Sequence, residues 1–185
     1  MGQNNIRNVY ILSGPAGVGK STTSKELVKK LSNSAYLSGD YISHMHINGR
    51  EKPWESEHEH SLIWNNILHL TRNFINHGCD VVIDYVTFPN DARWLSENIK
   101  ELNAVVKYVV LWVDQGTLLK RDNGRIEEHR MGKRCMILFD EFTNSGLDHK
   151  HFLNTSELTL KENDYIINKI VNDTKFCLEF NNSVH

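Results

Sequence analysis

Short apolar runs alternate with longer amphipathic segments along this chain of 185 residues. The apolar runs cover only a few positions and are rich in β-branched residues, which is typical of buried parallel strands. They predict strands at residues 9–13, 35–38, 80–84, 105–113 and 152–154.

The amphipathic segments predict helices between these strands. In residues 59–77, apolar side chains recur at Ile63, Ile67, Leu70 and Phe74 with the period of a helix that buries one face. Further helices are predicted at residues 20–31, 90–103, 135–144 and 161–171. Alternating strands and helices indicate an α/β protein whose parallel sheet is covered on both faces and binds ligands at the carboxyl ends of its strands. We therefore expect a three-layer α/β/α fold with a five-stranded parallel sheet.

The turn after the first predicted strand fits the phosphate-binding pattern G-x-x-x-x-G-K-[ST]. Its residues are Gly14, Pro15, Ala16, Gly17, Val18, Gly19, Lys20 and Ser21, and Thr22 continues into the next helix. A glycine-rich loop at a helix N-terminus offers backbone N–H groups and a positive dipole to phosphate. Lys20 adds charge toward the β- and γ-phosphates, and the Ser21 hydroxyl is placed to bind magnesium. The motif predicts a P-loop that binds a nucleoside triphosphate.

Composition and charge narrow the class of protein. The length suits one domain, and we expect residues 1–185 to form a single P-loop domain. Its 21 Lys and Arg are balanced by 23 Asp and Glu, so no overall basic charge favours nucleic acid as a partner.

Three widely spaced cysteines argue against a disulfide framework and fit a reducing compartment. No apolar run approaches the roughly 18 residues of a membrane span, and no signal peptide is evident, so we expect a cytoplasmic protein.

Aspartates follow several of the predicted strands, at the edge where the triphosphate is expected. Asp40 follows the second strand and is our candidate for the base that accepts the proton of an attacking hydroxyl, with a helix N-cap as the alternative. Asp84 ends the third strand in a Walker B arrangement that holds magnesium, with a turn residue as the alternative. We interpret Asp114 as the N-cap of a helix that begins near Gln115.

Basic side chains are concentrated between Lys120 and Arg134, where six cations fall within 15 residues. Planar guanidinium groups suit the equatorial oxygens of a transferring phosphoryl group. We interpret residues 121–135 as a helical lid that closes over the nucleotide, with Arg121 and Arg125 directed at the phosphates. A solvated basic helix is the alternative.

The segment after Asp40 is rich in histidine, and we expect residues 42–60 to line the acceptor side. His44-x-His46 and His58-x-His60 have the look of metal-binding pairs, but residues i and i+2 of a helix do not share a face. We therefore do not expect a histidine metal site, and we interpret the segment, with Arg50 and Trp54, as part of an acceptor pocket.

Four segments taken in order make the chain resemble the small P-loop kinases of the shikimate kinase and gluconate kinase type. The pattern is most similar to the predicted-kinase branch that includes chloramphenicol phosphotransferase and the kinase domain of polynucleotide kinase. The segments are residues 14–21, Gly39-Asp40, Asp84-Tyr85-Val86-Thr87-Phe88 with Arg93 downstream, and Arg121-Asp122-Asn123-Gly124-Arg125. The resemblance implies an ATP:alcohol phosphotransferase with a five-stranded parallel core and an arginine-bearing lid.

The resemblance also implies roles for individual residues. Asp40 matches the base, and Asp84, Thr87 and Arg93 match a segment whose arginine serves the acceptor. Asn154-Thr155-Ser156 matches a segment that passes near the adenine. Where several relatives carry an arginine shortly after the base, this chain has His44, which puts a phosphate-bearing or polynucleotide acceptor in doubt.

These observations predict a kinase that uses ATP and Mg2+ to phosphorylate a hydroxyl of a small molecule. A polynucleotide 5′-hydroxyl kinase is one alternative, against which the near-neutral charge counts. A nucleotide-dependent switch without phosphotransfer is another, and it leaves Asp40 without a purpose. The sequence leaves open the identity of the acceptor and whether the protein is a monomer or a homodimer.

Overall fold

The computed structural model describes residues 6–124, 127, 130–157 and 162–178. In this part of the chain, five parallel strands form one sheet in the order β2-β3-β1-β4-β5. The strands are β1 (Arg7–Ser13), β2 (Ser34–Ser38), β3 (Asp80–Asp84), β4 (Ala104–Trp112) and β5 (Phe152–Asn154). Every predicted strand is present, and no boundary differs from the prediction by more than two residues.

Helices connect the strands throughout the described residues. They are α1 (Lys20–Lys30), α2 (Gly39–Met45), α3 (Glu57–Asn76), α4 (Pro89–Asn98), α5 (Gln115–Asn123), α6 (Lys133–Thr143) and α7 (Asn163–Asn172). Short 3-10 turns lie at His149–His151 and Thr174–Phe176. The sequence pattern did not predict α2 as a helix.

Helix α4 begins one residue before its predicted start at residue 90. Its N-cap is Phe88, which makes no side-chain hydrogen bond to the helix, and Pro89 occupies the first turn, where its missing N–H costs nothing. The helix ends at Asn98 rather than residue 103, because the backbone leaves helical geometry at Ile99 and turns tightly into β4.

Apolar side chains of β1 alternate between the two faces of the sheet. Val9 and Ile11 belong to a buried cluster that includes side chains of α3 and α4. Tyr10 and Leu12 belong to a second cluster that includes side chains of α1 and α7. This period of two, with helices on both faces, confirms the predicted three-layer α/β/α architecture.

The predicted phosphate-binding loop and the two candidate aspartates lie at the carboxyl ends of three neighbouring strands. In the sheet register, Asp84 at the end of β3 lies beside Ser38 of β2 and beside Leu12 of β1. The P-loop leaves β1 one residue later, and α2 begins immediately after Ser38. Among the described residues, the search for a helix both long and apolar enough to cross a membrane finds none.

Candidate active site

The P-loop backbone is shaped by glycines in a conformation that other residues rarely adopt. Gly14 and Gly19 have φ angles of 128° and 109°. A Cβ on Gly14 would lie 2.4 Å from the carbonyl oxygen of Leu111, so this position also needs a glycine for space. No side chain caps α1, and Ser21 and Thr22 in its first turn are exposed. The first turn of α1 therefore presents its backbone N–H groups and the positive end of the helix dipole to an anionic ligand.

Lys20 lies over the loop that it follows. Its Nζ donates to the carbonyl oxygens of Gly14 and Pro15, both at 3.0 Å. The side chain is half-buried, and its charge also reaches Asp40, where it works to lower the pKa of that carboxyl. Lys20 thus lies between the phosphate-binding loop and the candidate base.

Asp84 is almost fully buried, with 5% of its surface exposed, and it accepts a hydrogen bond from the Tyr36 hydroxyl at 2.7 Å. Burial, followed by this hydrogen bond, raises the pKa of Tyr36, so the tyrosine stays a donor at physiological pH. The bond leaves the second carboxylate oxygen without a hydrogen bond from the described residues.

The oxygen donors fit magnesium rather than a tightly caged metal. Among the described residues, no group of three or more His, Cys, Asp or Glu side chains is arranged to hold a metal ion. Magnesium keeps several waters and binds through one or two protein oxygens together with substrate phosphate. A buried carboxylate at Asp84 and an exposed hydroxyl at Ser21 match that demand.

Asp40 lies in the first turn of α2, where it is within the electrostatic influence of Lys20 and Asp84. The alternative interpretation as N-cap was wrong, because Ser38 is the cap and accepts from the Tyr41 amide at 3.3 Å. The Asp40 side chain is exposed, yet the protein around it removes enough water to raise its pKa. The charge of Asp84 raises the pKa of Asp40 further, while Lys20 opposes both effects. Such a carboxylate is a stronger base than an isolated aspartate.

Asp114 has the structural role that the sequence indicated. Its carboxylate accepts from the amide and the hydroxyl of Thr117, at 2.8 and 2.6 Å, and caps α5. These hydrogen bonds hold its pKa below the ordinary range of an aspartate.

Arg121 connects the P-loop to the loop after β5. Its guanidinium donates to the carbonyl oxygens of Val18 and Thr155, both at 3.1 Å. The side chain is half-buried, so it does not belong to a simple solvated helix. Arg125, the second arginine of the predicted lid, lies outside the described residues.

The beginning of α6 is attached to the P-loop side of the molecule. Asp122 is 3% exposed and accepts from the amides of Met131 and Gly132, at 3.1 and 2.8 Å. Cys135 is fully buried, and its thiol donates to the Ala16 carbonyl at 3.2 Å. The hydrogen bonds to Asp122 therefore connect the end of the predicted lid, at Met131 and Gly132, to α5.

Hydrogen bonds from α2 to the following loop and α3 fix the acceptor-side segment. The His44 Nδ1 donates to the Asp40 carbonyl at 2.6 Å, and Arg50 donates to the Ser43 carbonyl and hydroxyl at 2.9–3.2 Å. His46 and Glu59, which is 1% exposed, form an ion pair at 2.8 Å. Burial works to raise the pKa of Glu59, but the hydrogen bonds from His46 and from the backbone at Glu51, together with the charges of His46 and Arg50, lower it.

The residues matched to the acceptor segment lie in different surroundings. Thr87 is fully buried, its hydroxyl donates to the Tyr85 carbonyl at 3.2 Å, and its amide donates to the Ser13 hydroxyl at 2.8 Å. Arg93 is exposed on α4 and makes no hydrogen bond or ion pair within the described ranges. The structure brings Lys20 and Asp84 to the candidate base but does not bring Thr87 to the surface.

Sequence reasoning assigned no role to several residues that hold the site together. They are Tyr36, Glu59, Tyr85 and Asp122, and each contacts a residue outside its own helix or strand. One signal was available: Tyr36 precedes Ser38 by two positions, so both project from the same face of β2.

Comparisons with known proteins agree with this architecture. Residues 9–134 match the family model of the AAA domain. A sugar kinase from Janibacter sp. HTCC2649 shares the fold with a TM-score of 0.67 and 11% identity over 92% of this chain and 97% of that one. A gluconokinase from Sinorhizobium meliloti 1021 has a TM-score of 0.63 and 12% identity over 90% of each chain. A shikimate kinase from Bacteroides thetaiotaomicron has a TM-score of 0.58 and 18% identity over 89% of this chain and 96% of that one.

A search of curated protein sequences finds no match to this chain. The family model and the structural neighbours confirm the resemblance to small P-loop kinases and the predicted fold.

Proposed function

We propose that this chain, which belongs to the AAA domain family, transfers the γ-phosphoryl group of ATP to a hydroxyl of a small molecule. The observation that carries the proposal is the position of Asp40. This carboxylate lies within the electrostatic influence of Lys20 and Asp84, and the described residues leave it without a hydrogen bond to its side chain. A protein that only binds a nucleotide has no need of a second carboxylate with a raised pKa at this place.

The chemistry follows from the chain's own groups. The hydroxyl oxygen of the acceptor forms a bond to the γ-phosphorus, and the bond from that phosphorus to the oxygen of ADP breaks. Asp40 accepts the hydroxyl proton, and the amides of the P-loop and Lys20 stabilise the phosphate charge. Arg121 links the P-loop to the segment at Thr155, and this supports a role for it on the nucleotide.

Ser21 and Asp84 would hold Mg2+, which supplies neutralisation of the phosphate charge when it is bound. Tyr36 orients Asp84 for that task by occupying one of its oxygens. The two donors thus leave the other coordination positions to phosphate and water, as magnesium requires.

Lys20→Ala tests the assignment of the phosphate site. We expect the turnover of ATP with a pool of hydroxylated metabolites, followed by phosphorus NMR, to fall by about 10²–10³-fold, because a preorganised charge partner of the transition state is lost. The melting temperature should stay close to that of the parent protein, since Lys20 is only half-buried. An unchanged rate in a folded variant would refute the assignment.

A small-molecule acceptor fits the charge of the chain better than a nucleic acid. The balance of 21 basic and 23 acidic residues provides no general attraction to a phosphate backbone. Turnover with the correct acceptor should therefore depend weakly on salt, and a steep decline between low and physiological salt would favour a polynucleotide acceptor. The three cysteines form no disulfide in the described part of the chain, and the reducing compartment that we propose for this protein is the cytoplasm.

A further inference from the structure

Arg50 contacts α2 beside the candidate base, and the proposed mechanism gives it no task. Its Nε donates to the carbonyl oxygen of Ser43 at 3.0 Å and to the Ser43 hydroxyl at 3.2 Å, and its Nη2 donates to the same hydroxyl at 2.9 Å. Ser43 comes three positions after Asp40 in the same helix, and residues with that spacing are neighbours on a helix surface. The guanidinium group is therefore held about one helical turn from Asp40.

Hydrogen-bond donors of Arg50 remain available after these contacts. A guanidinium group carries five N–H donors in a planar fork, and Ser43 occupies only the edge formed by Nε and Nη2. Nη1 makes no hydrogen bond within the described ranges. It also differs from Oε1 of Glu59 and Nε1 of Trp64, which have no partner and are sealed from solvent. The end of the fork, formed by Nη1 and Nη2, is thus accessible to a ligand.

The positive charge of Arg50 is not used in an ion pair. No carboxylate among the described residues pairs with this guanidinium, although the side chain is half-buried. Glu59 is near enough for Arg50 to lower its pKa, but its ion pair, at 2.8 Å, is with His46. Asp40 is also under the influence of this charge, and it is the group that receives a proton in the proposed reaction. Since a cation removed from water is usually paired, an anionic ligand would supply the partner that Arg50 lacks.

Arginines elsewhere in the described part of the chain are engaged differently. Arg72 donates to the Asn98 carbonyl at 2.6 Å and pairs with Glu101. Arg134 pairs with Glu141 at 3.3 Å. Each of these guanidinium groups has a carboxylate partner, so their contacts account for their charge.

Arg93, which the resemblance assigned to the acceptor, acts at another place. It is exposed on α4, and its charge acts on Tyr108 and His151. It is not among the groups that shift the pKa of Asp40, whereas Arg50 is. The arginine that the fold places beside the candidate base is therefore Arg50.

We infer that Arg50 binds an anionic group, a carboxylate or a phosphate, on the acceptor whose hydroxyl reacts at Asp40. The inference rests on the proposed function, because it takes Asp40 as the position of the reacting hydroxyl. The end of a guanidinium fork can bind two oxygens of either anion, and such charge-assisted hydrogen bonds are roughly twice as strong as neutral ones. Arg50 thus selects a hydroxy acid or a phosphorylated alcohol over a neutral alcohol of similar shape.

The test uses the full chain with ATP and Mg2+ and follows ADP release with acceptors taken in pairs that differ by one anionic group. The carboxylate pairs are glycerate with glycerol, gluconate with glucitol and galacturonate with galactose. The phosphate pairs are glycerol 3-phosphate with glycerol and glucose 6-phosphate with glucose. The measured quantity is the ratio of kcat/KM between the two members of a pair, at a pH well above the acidic limb of the activity.

Four variants separate recognition of the anion from structural support. Arg50→Gln removes the charge and keeps an amide that can donate to Ser43, and Arg50→Lys keeps the charge and loses the planar fork. Arg93→Gln tests the assignment that the resemblance implied. Arg72→Gln is the matched control, because the Arg72 guanidinium is engaged by the Asn98 carbonyl and Glu101.

We expect the anionic member of at least one pair to be preferred by about 10–100-fold, the effect of charged hydrogen bonds. Arg50→Gln should remove this preference without changing the affinity for MgATP, and Arg50→Lys should keep part of it. Arg93→Gln and Arg72→Gln should leave the ratio as it is in the parent protein. If Arg50 only supported α2, its loss would lower kcat/KM for both members of a pair equally, and the ratio would not change.

Three outcomes overturn the inference and leave the proposed kinase function intact. They are preference for the neutral member in every pair that reacts, an unchanged ratio in Arg50→Gln, and loss of the preference in Arg93→Gln but not in Arg50→Gln. Whether a carboxylate pair or a phosphate pair shows the preference identifies the anion. Turnover with no probe at all, despite MgATP binding, overturns the inference and counts against the kinase function as well.

Discussion

Gly39 offers the sharpest test of how the site is assembled, because one added methyl group perturbs both sides of it. In Gly39→Ala, the new Cβ would lie 2.2, 2.3 and 2.7 Å from Cγ, Cδ2 and Cβ of Tyr85. Gly39 does not have a positive φ, so the clash and not the backbone conformation is the cost. The ring of Tyr85 is buried against Trp64 and cannot simply move away.

The magnitude follows from these contacts. Overpacking of this kind costs about 1–3 kcal/mol. The helix preference of alanine over glycine returns at most about 1 kcal/mol at the start of α2. We therefore expect the free energy of unfolding to fall by about 1–2 kcal/mol. Because Asp40 follows Gly39 and Asp84 precedes Tyr85, both carboxylates shift, and turnover should fall by about 10–100-fold.

The assay combines urea denaturation with ATP turnover. Gly116→Ala is the matched control, since its Cβ would meet only the Asp114 Oδ1 at 3.3 Å, on an exposed side chain, and its stability should change by less than about 0.5 kcal/mol. In a Tyr85→Ala background the two shortest contacts disappear, so Gly39→Ala should cost at least about 1 kcal/mol less there than in the parent protein. Full stability and activity in Gly39→Ala, or equal costs in both backgrounds, would show that the Gly39–Tyr85 contact does not set the geometry of the site.

Two further predictions concern the lid and the base. Asp122→Ala leaves the amides of Met131 and Gly132 without their buried carboxylate. We expect urea denaturation to show that the free energy of unfolding falls by about 2–4 kcal/mol. A change below about 0.5 kcal/mol would contradict the role of Asp122 in fixing the end of the predicted lid. Desolvation raises the pKa of Asp40, and Asp40 can act as a base only when it is deprotonated. We therefore expect kcat/KM to decline as the pH falls, with a midpoint above the ordinary aspartate pKa of about 3.9. Arg50→Gln should move this acidic limb to higher pH, because Arg50 lowers the pKa of Asp40, and an acidic limb that stays at or below the ordinary value would exclude Asp40 as the base.

The parts of the fold that depend on local pattern were predictable from the sequence. The five strands have continuous apolar runs, and α3 has a long helical period with a buried face that includes Ile63 and Ile67. The P-loop needs only glycines and a lysine at fixed spacing, and the cap by Asp114 needs only a neighbour three residues away.

The helix α2 was missed because its local signal is weak. It spans seven residues, of which Gly39, Ile42 and Ser43 are buried, so it shows no extended period. Its cap, Ser38, is also the last residue of β2, and the sequence does not show that one residue serves both elements.

Long-range contacts explain the remaining gaps. Tyr36 reaches Asp84 across 48 positions, and this pairing depends on β2 and β3 being neighbours. Thr87 was expected at the acceptor, but Ser13 and Tyr108 bind its backbone and the turn is buried. Which side of a turn faces a ligand is set by the packing behind it, which local sequence does not specify.

In the proposed mechanism, Asp40 accepts the proton of the acceptor hydroxyl while the P-loop independently holds the triphosphate. Asp40→Asn keeps the size of the side chain and removes its basicity. We predict that calorimetric titration of this variant with MgATP gives the parent affinity, while phosphoryl transfer falls by about 10²–10⁴-fold. Transfer at the parent rate, or loss of MgATP binding together with transfer, would show that Asp40 is not the base.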